Sequence, residues 1–66
     1  MTDITALKDE IRKLNARATA RKMDLHDLSE DLPAGWERIP AVAQETYEAF
    51  TLLAAKRAQL KALETA

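Results

Sequence analysis

A single histidine and the carboxylates around it are the side chains whose type and spacing suggest metal chemistry. His26 is the only histidine among 66 residues, and there is no cysteine. On a helix, Glu30 lies one turn after His26, and Asp27 follows it directly. One chain therefore offers too few ligands for a closed metal site. Two copies of His26 meeting across a two-fold axis, with Glu30 or Asp27 nearby, would offer an open site to a divalent ion of the nickel or zinc type.

The alternative is that His26 is a surface histidine without a ligand. It follows Leu25, a position on the hydrophobic seam of the helix, so it flanks the core rather than lying in it. With no cysteine and no second histidine, the chain assembles no Ser–His or Cys–His pair for a hydrolytic triad. A hairpin of two helices also has almost no pocket for a catalytic carboxylate pair. We expect no enzyme activity and no required cofactor.

The residues up to the turn follow the pattern of one long helix. Apolar residues alternate at spacings of three and four, which is typical of a helix packed along a seam. Thr2 or Asp3 can cap its start, and no proline or glycine interrupts residues 4–32. At Arg21 we expect the aliphatic stem to lie on the seam and the guanidinium to reach solvent or a carboxylate. The predicted seam residues are Ile4, Leu7, Ile11, Leu14, Ala18, Arg21, Leu25, Leu28 and Leu32.

Residues 32–35 predict a reversal of the chain. Pro33 disfavours a helical conformation in the residue before it and donates no N–H, whereas Gly35 adopts positive φ at little cost. A short helical turn from Trp36 to Arg38 would lead into a second helix. Trp36 is expected to fold back over the end of the hairpin, with an exposed binding tryptophan as the alternative. Because the connection is short, the two helices must lie antiparallel.

The residues after the turn predict a second helix whose apolar face is too wide for one partner helix. Pro40 is tolerated there because it lies in the first turn. A second stripe runs beside the seam and would leave Tyr47 and Phe50 in water, and exposed apolar patches of this kind mark interfaces. The predicted seam residues are Ile39, Val42, Thr46, Ala49, Leu53, Lys56, Leu60 and Leu63, and the stripe consists of Ala43, Tyr47, Phe50 and Ala54.

The fold prediction is therefore all-α, with a single domain over residues 1–66. It is an antiparallel hairpin with helices at about 3–32 and 39–64. A chain this short buries only about 60% of the surface that its unfolded form exposes, and it has no disulfide to compensate. We expect a homodimer in which two hairpins form a rod resembling a four-helix bundle. A bound partner protein is the other way to cover the stripe, and the two can coexist.

Charge is distributed unevenly along the chain. Residues 24–48 carry seven acids and one base, and the remainder carries nine bases and four acids. The hairpin would thus have an acidic loop end and a basic open end. The acids either solvate the loop end or lie along basic stretches of a partner hairpin, which would set an antiparallel, offset dimer. A basic stripe at Lys13, Arg17 and Arg21 could follow RNA phosphates, but the net charge of −1 makes RNA the weaker hypothesis.

Two stretches carry a family resemblance: the run from Leu14 to Glu37, whose most specific part is KMDLHDLSEDLP, and the segment VAQETYEAF, which begins at Val42. They resemble the small Rop-like proteins encoded in bacterial nitrogen-fixation gene clusters, whose biochemical function is unknown. The resemblance covers about Ile4 to Leu63. It implies a helical hairpin that dimerises, and a histidine, His26 here, that contacts a divalent metal shared across the dimer axis.

These observations together favour a non-catalytic accessory protein of nitrogen fixation. We expect it to contact a nitrogenase component or a cofactor-assembly protein. A divalent-metal-binding or delivery protein using His26 across a dimer is the alternative. No targeting segment and no apolar run of about 20 residues is present, so we expect a cytoplasmic protein without membrane contact. The predicted partner-binding residues are Trp36, Tyr47, Phe50, Asp24 and Asp31.

Overall fold

The computed structural model describes residues 3–65 as two long helices joined by a tight turn. Helix α1 spans Ile4–Asp31, a 3-10 turn spans Trp36–Arg38, and helix α2 spans Ile39–Thr65. The hairpin is a rod with extents of 49 × 16 × 15 Å. No strand forms among residues 3–65. The predicted all-α hairpin is confirmed, and so is the short helical turn that leads into the second helix.

The start of α1 is fixed by Asp3. The Asp3 carboxylate accepts a hydrogen bond from the backbone N–H of Thr5 at 2.9 Å. The Asp3 carbonyl accepts the N–H of Leu7, also at 2.9 Å. The first turn of a helix has N–H groups without a helical partner, and the carboxylate satisfies one of them. The predicted cap at Asp3 is therefore confirmed, whereas Thr2, the other candidate, lies outside the described residues.

The turn between the helices uses Pro33 and Gly35 as the sequence predicts. Leu32 has φ −56° and ψ 142°, so helical geometry ends before Pro33. The Leu32–Pro33 peptide bond is cis. Gly35 has φ +75°, in the left-handed region that glycine adopts without steric cost. A Cβ atom at Gly35 would stand 3.3 Å from Leu28 Cδ1, so the backbone of Gly35 packs directly on the end of the core.

The two helices pack along the predicted seam. Every buried residue is a predicted seam residue, and its half-buried neighbours Ile11 and Leu25 are seam residues as well. Ala18 has no exposed surface, and its small side chain lets the helices approach closely at the centre of the rod. The seam ends differ from the prediction, because Ile4 and Leu32 stay 38% and 40% exposed. The buried residues are Leu7, Leu14, Ala18, Leu28, Val42, Ala49 and Leu53.

Polar residues on the seam are satisfied between the helices. The Thr46 hydroxyl lies 2.8 Å from the Val42 carbonyl and 3.2 Å from the Arg21 carbonyl, so its one proton is shared between two acceptors. The Arg21 guanidinium lies 3.4 Å from Asp24 and 3.3 Å from Glu45. The stem of Arg21 is half-buried on the seam. The prediction that Arg21 would extend from the seam to a carboxylate is confirmed.

Candidate functional site

Contacts between the helices show which residues share each long face of the rod. On one side, Arg57 Nη2 donates a hydrogen bond to Asn15 Oδ1 at 3.1 Å. Phe50 lies seven residues, or two helical turns, before Arg57 and therefore shares its side. These residues flank the seam on one side. Together with the residues one position further from the seam around each helix, they form what we call the aromatic face. It consists of Lys8, Arg12, Asn15, Lys22 and His26 from α1, and Ala43, Tyr47, Phe50, Ala54, Arg57 and Lys61 from α2.

The opposite side of the rod is what we call the acidic face. Arg21 reaches Asp24 on its own helix and Glu45 on the other, so these carboxylates flank the same side of the seam. The Lys56 ammonium lies 3.4 Å from Glu10 on that side. Residues two turns along from these carboxylates fall on the same side. The acidic face consists of Glu10, Arg17, Asp24, Asp31, Glu45 and Leu52, with Lys13, Asp27 and Glu48 at its outer edge.

The aromatic face combines exposed apolar residues with an excess of basic residues. Tyr47 is 69% exposed and Phe50 is 41% exposed, which confirms that a single hairpin leaves the second stripe in water. The residues of the face include five bases and no acid, although Arg12 is paired with Asp9 beside the face and Glu64 lies next to its open end. On the acidic face acids outnumber bases six to two, and the seam bases Arg21 and Lys56 are paired with its carboxylates. The two faces therefore differ in charge sign.

His26 lies toward the loop end of the aromatic face. Its Nε2 atom is 3.4 Å from Glu30 Oε1, and the two side chains are 61% and 69% exposed. Asp27 points about 100° further around the helix, because consecutive helical residues diverge by that angle. Within residues 3–65 no three His, Asp or Glu side chains gather where they could hold a metal ion. One chain thus presents an imidazole and one carboxylate, and further ligands would come from water or another chain.

Trp36 does not fold back over the hairpin, so that expectation is wrong. Its side chain is 62% exposed. The end of the core at Leu28 is covered by the backbone of Gly35 instead. The exposed alternative is the one that the structure adopts. Leu32 and Ile39 are 40% and 39% exposed beside the turn, and the loop end is therefore apolar as well as acidic.

A groove of about 410 Å³ lies at the open end of the aromatic face. Ile11 and Leu60 form its apolar floor, and Lys8 and Arg12 stand at its rim. Arg12 is paired with Asp9 of its own helix, whereas Lys8 has no ion pair within residues 3–65. The groove is not visible in the sequence, because its walls come from residues that are almost fifty positions apart.

The comparison with known protein families agrees with this geometry. A model described as Rop-like matches residues 2–65. The chain belongs to the Rop-like family. A UPF0437 protein of Azorhizobium caulinodans is 56% identical, over 97% of this chain and 93% of the relative. A UPF0437 protein of Sinorhizobium fredii is 47% identical, over 97% of this chain and 96% of its own length. The family resemblance expected from the sequence is confirmed.

Other Rop-like relatives add genomic context and experimental structures. A protein of Frankia alni, named for the nifX–nifW intergenic region, is 50% identical over 79% of this chain and 63% of its own. A crystal structure of a DUF683 family protein from the cyanobacterium Cyanothece 51142 has a TM-score of 0.87 at 44% identity, covering 89% of this chain and 97% of that one. An NMR structure from a structural genomics consortium has a TM-score of 0.88 at 52% identity, covering 98% and 92%.

In this Rop-like hairpin the predicted partner-binding residues are divided among three places. Tyr47 and Phe50 lie on the aromatic face, Asp24 and Asp31 lie on the acidic face, and Trp36 lies at the loop end. The sequence contains a signal for this division, because the bases of the aromatic face all occupy helical rows on one side of the seam. The predicted binding surface rested only on the change of charge along the chain and did not distinguish the two sides of the seam. No helix within the described range is long and apolar enough to cross a membrane.

Proposed function

We propose that this Rop-like protein is a non-catalytic accessory factor of nitrogen fixation. The observation that carries the proposal is the relative named for its place between nifX and nifW, since neighbouring bacterial genes commonly serve one process. The protein would act by binding a nitrogenase component or a protein that assembles nitrogenase cofactors. Exposed apolar residues on both faces of the rod, Phe50 on one and Leu52 on the other, support a role in binding proteins.

We assign the nitrogen-fixation partner to the acidic face. Asp24 and Asp31 lie there, and Leu52, which is 42% exposed, supplies an apolar centre. A partner with a basic surface around an apolar contact complements this arrangement.

The working unit in this proposal is a homodimer joined through the aromatic face. Within residues 3–65 seven apolar residues are buried, and two of them, Ala18 and Ala49, contribute little area. Helix α2 is apolar on the seam and also on the stripe beside it, a pattern of helices that are covered on more than one side. Pairing of two copies through Tyr47 and Phe50 covers that stripe and enlarges the core.

The test of the accessory role is retention of proteins from nitrogen-fixing cells on the tagged protein. We expect one nitrogenase-related protein to be retained by the wild type and lost with the double variant Asp24→Lys, Asp31→Lys. The control is Asp9→Lys, Glu64→Lys, which makes the same change of charge near the open end and should retain the protein. Failure of wild type and control alike to retain any nitrogenase-related protein would refute the accessory role.

A second candidate function is divalent-metal binding at His26. The observation that favours it is the carboxylate of Glu30, which lies 3.4 Å from Nε2 of His26. An imidazole and one carboxylate make a weak, open site that suits transient binding or delivery. We expect Ni²⁺ or Zn²⁺ to shift the amide signals around residue 26. His26→Ala should abolish these shifts while helix content stays unchanged, and Glu30→Gln should reduce them. Identical metal titrations of wild type and His26→Ala would eliminate this function.

A further inference from the structure

We infer that the loop end of one chain docks into the open-end groove of a second copy, with Trp36 against Ile11 and Leu60. The inference rests on the proposed homodimer and specifies its geometry. The two hairpins lie antiparallel, and each one supplies a loop end and a groove. Both ends of the rod are then occupied by one repeated contact, and a two-fold axis closes the assembly without leaving a site for a third copy.

The first support is chemical complementarity between the two ends. The groove has an apolar floor and a basic rim formed by Lys8 and Arg12. The loop end presents the 62% exposed indole of Trp36, with the carboxylate of Glu37 next to it in the same 3-10 turn. Docking buries the indole while the Glu37 carboxylate meets the ammonium of Lys8, which has no ion pair of its own within residues 3–65. A parallel arrangement would instead place the two basic rims side by side, where they repel.

The second support is the spacing of residues along α2. The stripe from Ala43 to Ala54 is centred near Glu48, between Tyr47 and Phe50. Trp36 lies twelve residues before Glu48, and Leu60 lies twelve residues after it. At about 1.5 Å per helical residue, each is roughly 18 Å from that centre. A two-fold axis that crosses the aromatic face at the level of residue 48 therefore brings the two stripes together and, by the same rotation, brings Trp36 level with Leu60 of the second copy.

The same axis places the two copies of His26 far apart. Thr46 contacts the carbonyl of Arg21, so His26 lies level with about residue 41 of α2, seven residues from the axis. The rotation doubles that separation to roughly 20 Å. An ion at His26 would be completed by water in this arrangement, and one ion could not bridge the two histidines.

Single-cysteine variants test the docking, because the chain has no cysteine and each variant can be cross-linked at one position only. Mixing Glu37→Cys with Lys8→Cys should give a disulfide-linked pair under mild oxidation, since the two positions meet in the docked dimer. Glu37→Cys alone should give almost none. The expected result is therefore a higher yield of disulfide-linked dimer in the mixture than with either variant alone. Cross-linking of Glu37→Cys with itself would show a parallel dimer and overturn the inference.

Fluorescence of the single tryptophan gives a second readout without any change to Trp36. Its emission should move to longer wavelength as the protein is diluted and the indole leaves the groove.

Lys8→Glu with Arg12→Glu should raise the dimer dissociation constant roughly tenfold or more, and adding Glu37→Arg should restore part of the lost affinity. The control, Lys13→Glu with Arg17→Glu, makes the same charge change on the acidic face and should have a much smaller effect.

The outcomes separate this inference from the proposals on which it rests. A dimer that forms without the mixed cross-link and without a change in tryptophan emission would overturn the docking and leave the dimer intact. A chain that is monomeric at every concentration would overturn the dimer and the docking together. Both measurements use purified protein, so neither result depends on whether a nitrogen-fixation partner is retained from cells.

Discussion

Replacing Leu53 with alanine is expected to reduce the free energy of unfolding by about 2–5 kcal/mol per chain. Leu53 is 2% exposed and lies in the central cluster with Leu14, Ala18 and Ala49. Two of these three neighbours are alanines, which have no side-chain atoms beyond Cβ that could move into the space left by the leucine. The cavity would therefore stay open, and this places the expected loss in the upper part of the range.

The matched control for this substitution is the residue next to it. Leu52 is 42% exposed on the acidic face, and Leu52→Ala should change the free energy of unfolding by less than about 1 kcal/mol. Urea denaturation followed by circular dichroism, at one protein concentration for all variants, measures both. Leu28→Ala, at a residue that is 5% exposed, should resemble Leu53→Ala. Equal losses for Leu52→Ala and Leu53→Ala would mean that the core has been assigned to the wrong residues.

The hydrophobic seam was predictable because a regular spacing of apolar residues encodes it directly. The alternation of three and four identifies one side of each helix, and the turn at Pro33 and Gly35 requires those sides to meet. Burial at the seam ends depends instead on what covers them. Ile4 and Ile39 are 38% and 39% exposed, although their spacing is the same as that of Leu7 and Val42, which are buried. Spacing alone therefore predicts the direction of a side chain better than its depth.

The candidate site was less predictable for two physical reasons. The exposure of Trp36 follows from the packing of the Gly35 backbone on Leu28, a contact between the turn and a residue one turn from the end of α1. The groove above Ile11 and Leu60 requires both helices in their final register. Neither depends on a local pattern. The proximity of His26 and Glu30, by contrast, follows from the helical repeat and was predicted.

The hairpin is polarised in two directions: its two faces differ in charge, and so do its two ends. Arg21 and Lys56 lie on the seam and neutralise carboxylates of the acidic face. Lys8 and Lys22 have no such partner within residues 3–65 and keep the aromatic face positive. In the proposed dimer, acids at the loop end would do more than solvate it, since an antiparallel copy would carry them toward the basic end of its neighbour. The polarity along the chain and the polarity across the rod favour the same dimer.

Replacing Phe50 with aspartate is expected to dissociate the proposed homodimer. Phe50 lies near the two-fold axis, where each copy would bury the same ring against the other. Removing such an aromatic contact costs at least about 2 kcal/mol, and burial of an unpaired carboxylate adds to that loss. The dimer dissociation constant should rise roughly 30-fold or more. Sedimentation velocity over a range of concentrations measures the change, and helix content by circular dichroism shows whether the hairpin itself survives.

Leu52→Asp is the control that makes the Phe50 result specific. Phe50 and Leu52 are 41% and 42% exposed, so the same substitution introduces a carboxylate at nearly equal depth on each residue. They differ in direction, because Phe50 lies on the aromatic face and Leu52 lies on the acidic face. A dimer joined through the aromatic face loses affinity only with Phe50→Asp. If Leu52→Asp alone dissociates it, the two copies meet through the acidic face, and the nitrogen-fixation partner must then bind elsewhere on the rod.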